Sequence, residues 1–297
     1  MKIVIADDME PEVVEDIKKL GEVENKPADL KTALANAEVL IVRSKTRVTS
    51  ELIANASKLR LVARAGVGLD NVDVKACEAK GIKVINTPNA SSPAVAELAI
   101  GLMICGLRNV VKAHVGLLQG TFDKKALTGR EIGGKTLGIV GYGRIGKEVA
   151  KRALALGMKV IAYDPYVKEV EAGVRLVSLD ELLATSDVIS LHVALTPETR
   201  GLINAQAIAK MKKTAYLINL ARGAVVDEAA LIAALKEGKI AGAALDVTTK
   251  EPPGGELLAT PNLILTGHLG ASSKEAQVRI GKELVERLKD FFKGEAG

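Results

Sequence analysis

Short runs of β-branched and aliphatic residues alternate with longer stretches of helical pattern along almost the whole chain. A first series of apolar runs covers residues 2–6, 39–43, 60–64 and 83–86. A second covers 136–141, 159–163, 188–193, 215–220, 241–247 and 263–266. Each run is nearly continuous, as in strands covered on both faces. The connections read as amphipathic helices, for example over 180–184 and 227–237. This alternation predicts an α/β fold built on parallel sheets.

Between the two series lies the longest helical stretch, 93–119. Ser92 is suited to its N-cap, Pro93 to its first turn and Gly120 to its end. The polar, glycine-bearing segment after it reads as a loop. The domain boundary is therefore expected near Ser92. A final helix is expected over 273–293, and the pattern does not say which domain it covers.

At 297 residues the chain can form two domains of ordinary size. Aromatic residues make up 2% of it and Trp is absent, so the cores must be built from Val, Ile, Leu and Ala. The formal charge of +5 fits either a solvated basic surface or a site for an anionic substrate. Lysines and arginines are dispersed and stacking aromatics are scarce, which argues against a nucleic-acid partner. Cys77 and Cys105 have neither metal nor redox spacing and read as buried reduced thiols. No metal site is expected. The N-terminus MKIVIADD reads as a strand and not a signal peptide, and no run reaches membrane-spanning length. The expectation is a cytoplasmic protein with no membrane partner.

The run at 136–141 leads directly into GYGRIG, with Gly141, Gly143 and Gly146, and then into a helical pattern. Such glycines permit a tight turn, close approach of backbone to a pyrophosphate, and close helix–strand packing. The helix N-terminus adds N–H donors and a positive dipole end. The next strand ends at Asp164, near the spacing at which an acid holds the adenosine ribose. A carboxylate there repels a 2′-phosphate, so NAD is favoured over NADP.

Further along stand Arg222 in LINLARGAVVDE, Glu251 in LDVTTKEPP and His268 in LTGHLGASS. Reduction of a 2-oxo acid needs a guanidinium fork for the carboxylate, an acid that titrates near neutrality, and a carboxylate that orients the acid. These three residues can fill those roles in the order Arg222, His268, Glu251. Each follows a predicted strand, at the sheet edge where ligands bind in such folds. His114 and His192 read as structural or cofactor-adjacent.

The segments RAGVGLDNVD from Arg64, NTPNASSPAVAELAIGLM from Asn86, GYGRIG, INLARGAVVDE, ALDVTTKEPP and GHLGASSKEAQ resemble the D-2-hydroxyacid dehydrogenases. The resemblance spans essentially the whole chain, with its motifs in family order. It implies two Rossmann-like parallel-sheet domains with the active site in the cleft between them. The substrate domain would comprise 1–92 plus 270–297 and the NAD-binding domain 93–269. Homodimers joined through the helix 93–119 are also implied.

By the same resemblance Arg222 orients the substrate carboxylate, His268 is the acid/base and Glu251 its partner. Cofactor contacts fall on Val67, Gly141, Gly143, Arg144, Ile145, Gly146, Asp164, Val193, Leu220, Ala221, Asp246, Gly270 and Ala271. Arg64, Ala65, Gly66 and Val67 face the substrate carboxylate, with Arg43 and Lys124 as cations for a phosphorylated substrate. The nearest branch oxidises D-3-phosphoglycerate, at the entry to serine biosynthesis. Glyoxylate or hydroxypyruvate reduction is the alternative, and an NAD-sensing corepressor-like protein is the rival from another class.

Three departures from the family pattern stand out. Gly267 replaces the proline usual before the histidine, and glycine leaves the turn freer. Val67 replaces a frequent hydroxyl residue. The chain stops at Gly297, without the regulatory domain of many phosphoglycerate enzymes, which leaves open an unregulated enzyme or a piece of a longer one.

Overall fold

The computed structural model describes residues 1–295, so the last two residues of the expected C-terminal segment lie outside it. The chain divides into two compact units, Met1–Ser92 with the segment from Ala271 onward, and Pro93–Gly270.

The first unit opens with strand β1 (Lys2–Ile5), helix α1 (Pro11–Lys18), β2 (Glu22–Asn25), α2 (Leu30–Leu34) and β3 (Val39–Val42). It continues with β4 (Leu61–Arg64), α3 (Val74–Ala79) and β5 (Lys83–Asn86). Pro11 starts α1, while the Asp29 and Asp73 carboxylates accept backbone N–H groups at the starts of α2 and α3. The five parallel strands are ordered β2-β1-β3-β4-β5.

The second unit contains α4 (Ser92–Leu107), α5 (Val110–Leu118), β6 (Thr136–Val140), α6 (Arg144–Ala155), β7 (Lys159–Tyr163), β8 (Val174–Leu176) and α7 (Leu179–Thr185). Next come β9 (Val188–Leu191), α8 (Ala205–Ala209), β10 (Tyr216–Asn219), α9 (Glu228–Lys236), β11 (Gly242–Leu245) and β12 (Leu263–Leu265). Its seven parallel strands run β12-β11-β10-β9-β6-β7-β8. Alternate residues of each strand feed two cores. Leu137, Ile139, Ile218 and Ala244 pack with α4 and α6, while Val140, Leu191, Leu217 and Leu245 pack with α7, α8 and α9. Burial on both faces is why these strands read as continuous apolar runs.

The last helix, α10 (Lys274–Glu295), starts where Ser273 Oγ accepts the Ala276 N–H at 3.1 Å. It packs on the first sheet through Ile280, Leu284, Leu288 and Phe291. Gly281 lies so close to α1 that a Cβ there would meet Val13 Cγ2 at 2.1 Å. That contact settles which sheet the helix covers.

Three sequence expectations are corrected. The helix expected over 93–119 is two helices bent by 62° at Arg108–Asn109. Asn109 takes the left-handed conformation (φ 54°), which asparagine tolerates, and its side chain donates to Leu127 O at 3.3 Å. Gly129 lies against the break, where a Cβ would meet Leu107 O at 2.6 Å. Strands β2 and β8 escaped notice because EVEN and VRL are short sheet-edge strands whose exposed sides carry polar residues. Cys77 is buried as expected, and burial raises its thiol pKa, but Cys105 is only half-buried. Among the described residues no single helix is long and apolar enough to cross a membrane.

Candidate active site

The strand order of the second unit reverses between β6 and β9, the point at which open α/β sheets receive ligands at their carboxyl ends. The glycine turn follows β6 there. Gly141 has φ +94°, and a Cβ on it would stand 2.8 Å from the His192 carbonyl carbon and 2.9 Å from Val193 Cγ1. No larger residue fits between the ends of β6 and β9. At Gly146 a Cβ would meet Gly141 O at 2.3 Å, so α6 approaches the turn closely. Gly143 is different: a Cβ there meets nothing within 4 Å, which leaves its backbone open to a ligand.

Helix α6 has no side-chain cap at its start, so its first N–H groups point at that open space. Asp164, at the end of β7, accepts Tyr142 N and Tyr166 N, each at 2.9 Å. The Tyr142 hydroxyl donates to Glu171 Oε2 at 2.6 Å, and Lys147 lies 3.0 Å from the same carboxylate. These bonds hold Glu171 down at about pKa 2, while burial foremost, then Glu171, raises the Tyr142 hydroxyl pKa. The open glycine backbone, uncapped helix and anchored acid fit a dinucleotide.

Arg144 is exposed beside the turn, and Ile145 packs into the core behind it. Leu220 and Ala221 bury their side chains and have only backbone to offer a ligand. His192 is the unused histidine of this edge. Its Nε2 shares a hydrogen bond with Ser190 Oγ at 2.8 Å, Nδ1 is shut off from solvent without a partner, and burial lowers its pKa to about 3.

Arg222, Glu251 and His268 follow β10, β11 and β12, which are neighbours in the sheet. Their last residues are in register: Asn219 pairs with Leu245, and Leu245 with Leu265. Parallel strands about 4.8 Å apart that end level bring the following loops to one edge. His268 Nδ1 lies 3.0 Å from Glu251 Oε2, with both side chains about half exposed. A cis peptide joins Glu251 to Pro252.

Arg222 donates from Nη1 to Ala221 O at 2.7 Å. Gly223, the next residue, packs on the β11 loop so tightly that a Cβ would meet Thr248 C at 2.1 Å. The Arg222 turn thereby touches the loop that carries Glu251.

Two residues of this edge were missed in the sequence. Asn219 is fully buried and brackets the Arg222 turn, accepting Ala221 N at 3.0 Å and donating to Arg222 O at 2.9 Å. Thr266 donates to Asp246 Oδ1 at 2.6 Å. An asparagine ending an apolar strand was a readable signal for the first. Nothing local pointed to the second. Asp246, an expected cofactor contact, has its carboxylate engaged by the His268 turn.

The remaining expected residues lie in the first unit, apart from Gly270 and Lys124. The 64–68 segment follows β4. Gly66 has φ +146°, and the Arg64 side chain fills the space a Cβ would take, with Nη1 1.6 Å from that position. Ala65 N donates to Val42 O at 2.8 Å and Thr87 N to Gly66 O at 3.0 Å, while Val67 O accepts Asn86 Nδ2 at 2.6 Å. The Val67 side chain is exposed. Arg43 donates to Asp8 O at 2.7 Å and to Gln277 Oε1. Ala271 O accepts Gln277 Nε2 at 2.6 Å. Lys124 is exposed in the loop after α5.

Residues 100–270 match the family model described as D-isomer specific 2-hydroxyacid dehydrogenase, NAD binding domain. The chain is 51% identical over 264 residues to a hydroxypyruvate reductase of Thermotoga maritima, covering 88% of this chain and 86% of that protein. It is 47% identical over 304 residues to a D-3-phosphoglycerate dehydrogenase of Methanocaldococcus jannaschii, covering 99% of this chain and 58% of that one. The chain thus spans little more than half the length of that second relative. Among solved structures, a D-lactate dehydrogenase from Aquifex aeolicus complexed with NAD and lactic acid has a TM-score of 0.88 and 33% identity, covering 100% of this chain and 96% of that one.

Proposed function

Since the chain belongs to the D-isomer specific 2-hydroxyacid dehydrogenases, we propose that it interconverts D-3-phosphoglycerate and its 2-oxo acid with NAD, using His268, Glu251 and Arg222. The observation that carries this reading is the 3.0 Å approach of His268 Nδ1 to Glu251 Oε2, in the loops after β12 and β11, the latter strand adjoining β10, which presents Arg222.

NAD supplies the hydride acceptor for oxidation and, reduced, the donor for reduction. Gly143 and the start of α6 would hold its pyrophosphate, and Asp164 its adenosine ribose. Glu251 accepts a hydrogen bond from Nδ1–H of His268 and so leaves Nε2 to face the substrate oxygen. In oxidation Nε2 takes the hydroxyl proton, and in reduction it returns one. Arg222 offers its planar fork to the carboxylate, holding C2 in place and countering the charge on the oxygen. The two proposed domains, expected at 1–92 with 270–297 and at 93–269, are the substrate domain and the NAD-binding domain, with Gly270 going to the second of the two compact units.

A second reading is reduction of unphosphorylated hydroxypyruvate. It is favoured by the bonds Arg43 already makes to Asp8 and Gln277, which occupy the expected phosphate cation. The Thermotoga relative is named for that activity. The 2-oxo acids of the two readings differ only in the phosphoryl group on the C3 oxygen.

The outer face of α5 supports a second copy as partner. Val110, Val111, Val115, Leu117 and Leu118 are exposed there, with Phe122 just beyond. A cytoplasmic location fits this metabolic role.

The test is NADH absorbance with D-3-phosphoglycerate, D-glycerate, D-lactate and their 2-oxo partners. Preference for the phosphorylated pair, lost in Arg43→Ala, supports the first reading. Preference for hydroxypyruvate with kinetics indifferent to Arg43→Ala supports the second. NADH binding without turnover on any of them overturns both.

A further inference from the structure

We infer that Asp246 and Thr266 form a positioning clamp that holds His268 in its working conformation, in a turn whose position 267 is an unrestrained glycine. The inference rests on His268 being the acid/base group proposed above.

His268 has φ +58°, in the left-handed region that L side chains avoid. Such a conformation persists only where surrounding bonds over-determine it. The preceding residue, Gly267, imposes no restraint of its own, and a Cβ there would meet nothing within 4 Å. The restraint comes from Asp246, which is 2% exposed at the end of β11. Its main-chain carbonyl accepts His268 N at 2.8 Å. Its carboxylate accepts Thr266 Oγ1 at 2.6 Å and Leu269 N at 2.7 Å on Oδ1, and Gly270 N at 2.9 Å on Oδ2.

One buried residue therefore bonds to positions 266, 268, 269 and 270, on both sides of the histidine. Asp246 is itself fixed to the sheet, because its N–H donates to Asn219 O at 2.9 Å. Two features make the arrangement specific. The carboxylate faces three donors, so the isosteric amide of asparagine must turn an N–H toward another donor and lose at least one bond. The turn cannot sag away from it either, because a Cβ on Gly270 would lie 3.3 Å from both Asp246 Oδ2 and Val95 Cγ2.

The test uses Thr266→Val, Thr266→Ser and Asp246→Asn in the full chain, with folding checked by circular dichroism. Thr266→Val removes one bond and leaves the NAD turn and the triad in place. We expect it to lower kcat about 3- to 10-fold, since only part of the worth of the lost hydrogen bond reaches the histidine, with KM nearly unchanged. Thr266→Ser should restore the parent kcat. NADH affinity, read by cofactor fluorescence, should stay within about twofold of the parent for both. The 15N signals of the three histidines, with His268 assigned through His268→Gln, should show the His268 tautomer less strongly defined in Thr266→Val and Asp246→Asn and recovered in Thr266→Ser. Unchanged His268 signals overturn the clamp, and so does a loss of NADH affinity with kcat intact. If the parent shows no turnover, the acid/base reading has failed instead, and the histidine signals still decide whether the clamp exists.

Discussion

The Asp164 carboxylate accepts the main-chain N–H of Tyr142, in the middle of the glycine turn, at 2.9 Å. The acid proposed to select the ribose and the loop proposed to receive the pyrophosphate are thereby one hydrogen-bonded unit. Removing the carboxylate in Asp164→Ala should weaken NADH binding about tenfold or more, as expected for hydrogen bonds to a charged group. It should also narrow the preference over NADPH, since the negative charge that repels a 2′-phosphate is gone. Fluorescence titration with both cofactors checks this, and unchanged discrimination would contradict it.

Glu251 lies 3.0 Å from His268 Nδ1. In Glu251→Gln the side chain keeps its size but loses the charge, and its amide can present an N–H to the ring and favour the wrong tautomer. We expect kcat to fall by at least about tenfold with NADH affinity preserved, because only the proton transfer is touched. Steady-state kinetics beside a binding titration separate the two effects.

His192 gives stability a particular pH dependence. Its pKa is lowered by burial to about 3 in the folded protein, from 6.5. Between those values the unfolded chain binds a proton that the native one does not. Stability is therefore full above pH 6.5 and falls as pH is lowered, at up to about 1.4 kcal/mol per unit. The lowered carboxylates, Glu171, Glu198, Asp8, Asp16, Asp29 and Asp187, begin to contribute only near 4.5 and below, from reference values of 4.5 for the glutamates and 3.8 for the aspartates. Urea unfolding between pH 7 and 5 should show the decline in the parent and a flatter profile in His192→Gln.

Leu118 is 75% exposed at the end of α5 and Phe122 is 78% exposed just after it. If this face meets a second copy, Leu118→Glu should shift the protein toward monomer in analytical ultracentrifugation while leaving NADH affinity unchanged. A parent that sediments as a monomer would rule the interface out.

The break at Asn109 shows where sequence patterns mislead. Residues 93–119 carry an unbroken apolar helical pattern, and the cap signals at Ser92 and Gly120 are sound. What divides the stretch is a left-handed residue whose side chain bonds to Leu127, with Gly129 packed on the adjoining Leu107 and Arg108, some twenty residues away. Strands β2 and β8 were hidden for a related reason, since strands with one open edge need no continuous apolar run.

The sequence by itself determined what depends on local backbone demands. It located the glycines that only a tight turn requires, the apolar runs of strands buried on both faces, and three chemically apt residues each placed after a strand. Strand order and register are long-range choices, and only the tertiary structure decided them. It set β10, β11 and β12 side by side and ended them level, so that Glu251 reaches His268 across seventeen residues of chain. It also turned Asp246 inward to bond four positions of the His268 turn. A buried carboxylate must find its donors wherever packing brings them, and no spacing along the chain announces which those are.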